Sequence, residues 1–141
     1  MSFDQHDTIG FQAAQLSRLI SNRLRDALAP LDLLPAQVAA LVEIGADEGL
    51  SQKTLVVLLD VEQPGVARTL ATLEVEGWIA RRSGPGRTQG LHLTDKARAV
   101  VPEAARRVAE VNGAALGELS RTERAHLLDR LSELVAELKA G

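Results

Sequence analysis

Five cationic side chains, Lys53, Arg68, Arg81, Arg82 and Arg87, gather in the middle of a chain that is otherwise mildly acidic. A guanidinium is a planar fork of N–H donors that matches two acceptors at once, either phosphate oxygens or the O6/N7 edge of guanine. Arg87 follows the tight Gly84-Pro85-Gly86 turn, where a long cation reaches a narrow minor groove of strongly negative potential. Arg68 has a guanine edge or a phosphate as its target, with pairing to a nearby carboxylate as the bland alternative. Alternation along a strand turns one of Arg81 and Arg82 towards a nucleic-acid backbone and the other towards a carboxylate of its own chain. Ser51, Gln52 and Lys53 open a helix whose free N–H groups and serine hydroxyl suit a phosphate. Lys53 is misplaced at the positive end of a helix unless an anion is near. Gln63 and Thr69 serve equally as base or phosphate contacts and as cap or surface residues, while Pro64 shapes a helix start and offers its ring to a thymine methyl.

The elements that must position these groups follow from periodicity. Apolar residues recur three or four apart from Thr8 to Ala29, one stripe of a long helix of about 33 Å that Pro30 ends. Pro35 opens a short, mostly apolar core helix to Ile44, with Gly45 as its expected stop. Ser51 caps Gln52 to Leu59, Asp60-Val61 turns, and a further helix runs from about Gln63 to Glu76 with Gly77 in the left-handed position that follows. Period two then replaces 3.6: Ile79 to Arg82 and Gly90 to Leu93 read as a hairpin. Thr94 caps a helix to about Leu116 that Pro102 should bend, and Ser120 to Glu123 fits a capping box before the last helix. The expected fold is therefore mainly α with a small β-hairpin wing: a winged helix-turn-helix lobe at 35–95, flanked by dimerisation helices at 1–34 and 96–141.

Those flanking helices carry more apolar surface than a small lobe can cover. Ile9 and Leu16 at one end, with Leu127, Leu131, Leu134 and Leu138 at the other, would form an exposed patch of the kind monomers avoid. A twofold homodimer buries it and sets two reading helices against successive major grooves, about 34 Å apart.

Charge and composition exclude much else. Residues 51–100 hold 7 Lys/Arg against 5 Asp/Glu, whereas the first fifty hold 3 against 7, so the basic segment is the one with the reading helix and wing. With no cysteine, there is neither disulfide nor thiol switch. No apolar run approaches the roughly 20 residues of a membrane helix, and the first residues lack a signal-peptide pattern, which reads as a cytoplasmic protein. No paired acids, phosphate loop or nucleophile motif points to a catalytic site, and no cofactor or metal is expected; His6, His92 and His126 lack ligand spacing. Trp78 reads as packing.

Glu62-Gln63-Pro64, Arg68-Thr69-Leu70, Leu73-Glu74, Gly77, Ile79 and Arg82, then Leu93-Thr94-Asp95-Lys96, resemble the MarR family of bacterial transcription regulators, its SlyA branch in particular. The resemblance implies a homodimer on double-stranded DNA, an inverted-repeat operator, repression as the usual outcome, and a small aromatic effector between dimer helices and DNA lobe. It places that effector near Phe11, Gln15 and Ile20. One departure stands out: where the family's wing often reads Asp-x-Arg, this chain has Pro85-Gly86-Arg87. A winged-helix module that binds another protein instead of DNA is the rival reading, and a zinc-dependent regulator a third.

Overall fold

Ser and Thr hydroxyls start most of the helices, each accepting a hydrogen bond from an N–H that the first turn would otherwise leave unpaired. The computed structural model describes residues 2–84 and 89–141. After a 3-10 turn, Thr8 caps α1 (Ile9–Leu28) by accepting from Phe11 N at 3.2 Å. A second 3-10 turn with Pro30 leads to α2 (Pro35–Ala46), where the Gln37 amide oxygen reaches back to Leu34 N at 2.8 Å. The helix-turn-helix pair is α3 (Gln52–Leu59) and α4 (Gln63–Val75), joined through Asp60 in the left-handed region at φ 55°. The wing is β1 (Ile79–Ser83) antiparallel to β2 (Gln89–Leu93), and α5 (Asp95–Ala115) and α6 (Arg121–Ala140) complete the chain. The mainly helical, hairpin-bearing architecture read from the sequence is therefore the observed one. Two compact units result, Met1–Val111 and Asn112–Gly141.

The core of the first unit is aliphatic. Leu28, Leu41, Ile44, Leu55, Leu70, Leu73 and Leu91 are fully buried, and Trp78 joins them at 3% exposure. At the end of α4, Trp78 N donates to Leu73 O at 2.8 Å and Gly77 N to Glu74 O at 3.1 Å, with Gly77 at φ 81°. This is the 6→1 and 5→2 pattern of a Schellman stop. Lys96 crosses from the first turn of α5 to donate to Glu76 O at 2.9 Å, its ammonium 4.2 Å from the Trp78 ring centre. The end of α4, the start of the wing and the first turn of α5 thus meet at one junction.

Gly45 departs from expectation. It does not stop α2, which runs on to Ala46. A Cβ there would come within 3.1 Å of Leu93 Cδ1, so the missing side chain lets β2 lie close against the helix. The left-handed role passes to Gly49, at φ 97°. Further along, α5 continues through Pro102, and Arg107 ties it to the end of α1 by donating to Ala27 O at 2.9 Å. Glu103, bonded by Arg106 and Arg107, has its carboxyl pKa lowered to about 2.

In the second unit Ser120 Oγ accepts from Glu123 N at 3.2 Å while the Glu123 carboxylate accepts from Ser120 N at 3.0 Å, the expected capping box of α6. Among the described residues no single helix is long and apolar enough to cross a membrane.

Candidate nucleic-acid interface

The wing begins as a hairpin but is held as a three-line ladder. Ile79 pairs with Leu93, Arg81 with Leu91, and Arg82 with Gly90. On its other edge β2 meets the loop before α3: Gly49 N donates to Leu91 O at 2.8 Å, and Leu91 N donates to Leu50 O at 2.9 Å. Gly90 makes this possible, since a Cβ there would lie 2.7 Å from Gly49 O. Glu48 reinforces the same corner, accepting from Leu93 N at 2.9 Å and from Arg98 at 2.8 Å, with His92 3.9 Å away. Its pKa is lowered, first by the Leu93 hydrogen bond and then by the Arg98 charge.

The register also separates the two strand arginines. Arg81 shares a face with buried Leu91 and turns inward, its Nη1 and Nη2 each donating to Gln52 Oε1 at 3.2 Å and its Nε to Glu74 at 3.4 Å. It links the first turn of α3, α4 and the wing. Arg82, one residue on, is exposed on the other face. Of the alternating pair, Arg81 is thus the one with a carboxylate of its own chain.

Ser51 caps α3, accepting from Thr54 N at 3.1 Å, and Gln52 is engaged by Arg81. Lys53, Arg68 and Arg82 are exposed, and no carboxylate among the described residues pairs with any of them. Gln63 and Pro64 are exposed in the first turn of α4, and half-buried Thr69 lines a cavity of about 390 Å³ with Arg68 between α2 and α4. Arg87 lies outside the described residues. The residues that hold the wing in place and that sequence reasoning missed are Glu48, Gly49, Leu50 and Gly90; only Gly90 carried a signal, because a strand glycine often marks a close backbone approach.

On α1, Phe11 is half-buried with its ring 4.6 Å from that of His6, Gln15 is exposed, and Ile20 is half-buried. A groove of about 720 Å³ elsewhere in this unit is lined by Leu33, Gln37, Trp78 and Lys96 among others, not by those three. His6 contacts Asp4 and His92 faces Glu48, and no three potential metal ligands converge among the described residues.

The MarR family model matches residues 31–87, the span from the 3-10 turn after α1 into the wing. Over 101 residues the chain is 32% identical to the uncharacterized HTH-type transcriptional regulator YwoH of Bacillus subtilis (strain 168), covering 72% of this chain and 69% of that protein. The chain belongs to the MarR family of DNA-binding transcription regulators. Among solved structures, the transcriptional repressor CouR bound to a 23-mer DNA duplex is 28% identical, with a TM-score of 0.81 over 95% of this chain and 99% of that one. The Staphylococcus aureus MepR–DNA complex is 20% identical and shares the fold, with a TM-score of 0.87 over 96% and 99% of the two chains.

Proposed function

We propose that two copies of this chain grip an inverted-repeat operator and repress transcription by occupying it. Residues 35–95 form the reading lobe, and 1–34 and 96–141 the dimerisation helices. The observation that carries this reading is Arg68, exposed on the second helix of the helix-turn-helix with no carboxylate partner among the described residues. Arg68 meets the major groove; Lys53 and Arg82 meet phosphates on either side, with Ser51, Gln63, Pro64 and Thr69 completing the contacts and Arg87 entering the minor groove. Gln52 and Arg81 act through their mutual link. CouR and MepR, both solved on DNA, support this use of the fold.

Exposed apolar rows support the dimer: Ile9 and Leu16 on α1, at 68% and 51% exposure, and Leu127, Leu131, Leu134 and Leu138 on α6. A small aromatic effector near Phe11, Gln15 and Ile20 would release the operator to the extent that it binds one spacing of the two lobes better than the other. Such a regulator acts beside the chromosome, in the cytoplasm, and has no catalytic step.

The test is to incubate the purified protein with fragmented genomic DNA and sequence what it retains. Enrichment of one inverted repeat is the expected result. Absence of any enrichment at low salt would favour a protein-binding module on the same fold.

A further inference from the structure

The outward line of α4 is almost wholly apolar. At 3.6 residues per turn, Pro64, Arg68, Ala71 and Val75 fall on one row (i, i+4, i+7, i+11), opposite buried Val66, Leu70 and Leu73. All four are exposed, Val75 at 87%. The helix's other hydrogen-bonding side chains lie off this row: measured from Arg68, Thr72 is about 40° and Thr69 about 100° to one side, while Glu74, held by Arg81, is about 120° and Gln63 about 140° to the other. A reading helix that specified bases mainly through amides and hydroxyls would present such groups here. This one presents a single guanidinium between methyl and methylene groups.

We infer that α4 reads its half-site as one guanine flanked on both sides by thymines, with Arg68 on the guanine O6/N7 edge and Pro64 and Ala71 on thymine C5-methyl groups. In the major groove the methyl distinguishes thymine from the other bases without a hydrogen bond, and an apolar side chain is its complement. Spacing sets the register. Pro64 lies about 6 Å along the helix before Arg68 and Ala71 about 4.5 Å after it, so with base pairs about 3.4 Å apart both thymines fall within two base pairs of the guanine. Val75 extends the row by about one further turn.

This inference rests on the proposed DNA binding, and the experiment separates the two. Using the enriched operator, each thymine of the half-site is replaced in turn by deoxyuridine, which lacks only the methyl, and affinity is followed by fluorescence anisotropy. Loss of one buried methyl contact should weaken binding about fourfold at each of the two positions. In the Ala71→Ser protein, uracil at one of those positions should no longer matter, while the other keeps its effect. Replacing the central guanine by 7-deazaguanine should weaken the parent and leave the Arg68→Ala protein indifferent. An operator bound selectively yet equally well with uracil throughout overturns the inference and leaves the proposed function standing; failure to select any operator removes both.

Discussion

Arg68 and Arg81 share a side-chain type and differ in what surrounds them, and their variants should differ accordingly. Arg68 is exposed without a carboxylate partner among the described residues, whereas Arg81 is held by Gln52 and Glu74. Arg68→Ala should keep the parental melting temperature and lose about 1–3 kcal/mol of operator binding if it reads a base, or lower the log–log salt slope by about 0.9 if it meets a phosphate. Arg81→Ala should weaken binding with the salt slope unchanged, since its donors are engaged within the protein, and should cost about 1 kcal/mol of stability in denaturant titration. A drop in slope for Arg81→Ala would return that residue to the contact surface. Glu48 gives a pH prediction. Its folded pKa lies below the ordinary 4.5, so the stability it adds is complete above that value and disappears as pH falls through the lower, folded one. The gap in melting temperature between parent and Glu48→Gln should therefore close on acidification below pH 4.5, measured calorimetrically.

Among the elements, those whose logic is local were legible from sequence. Ser51, Gly77 and Ser120 act on neighbours within five residues, so caps and stops could be placed from residue type and spacing alone. Two features were not, because their partners are distant in the chain. Gly45 resembled a helix stop, yet it serves contact with Leu93; the pairing of Gly49 and Leu50 with Leu91 had no local signal at all. Likewise nothing in the surroundings of Gln52 announced Arg81, 29 positions on. Two glycine variants follow from this distinction. Gly90→Ala would press a Cβ to 2.7 Å from the Gly49 carbonyl oxygen, an atom fixed in the backbone, and should reach the upper part of the roughly 1–3 kcal/mol range for overpacking. Gly45→Ala meets only the end of the Leu93 side chain and gains about 1 kcal/mol of helix propensity, so its stability should stay within about 0.5 kcal/mol of the parent.

For the whole molecule, the proposed function depends on a partner copy that covers the exposed leucines of α6. Leu131→Glu with Leu134→Glu, at positions 40% and 45% exposed in one protomer, should shift sedimentation to the monomer and leave half-site affinity far below that for the full repeat. A monomer that still binds the full operator with parental affinity would remove the dimer from the mechanism. The tie between Gly49-Leu50 and β2 has a further consequence. A bare two-stranded ribbon is open along both margins and invites strands from other molecules, the usual route to templated fibrils. Here one margin is occupied at Leu91 by the protein's own loop, and the opposite strand carries the exposed charge of Arg82. The arrangement that steadies the wing therefore also keeps concentrated protein from zipping together through its hairpins, and loosening it should show as thioflavin-positive aggregation.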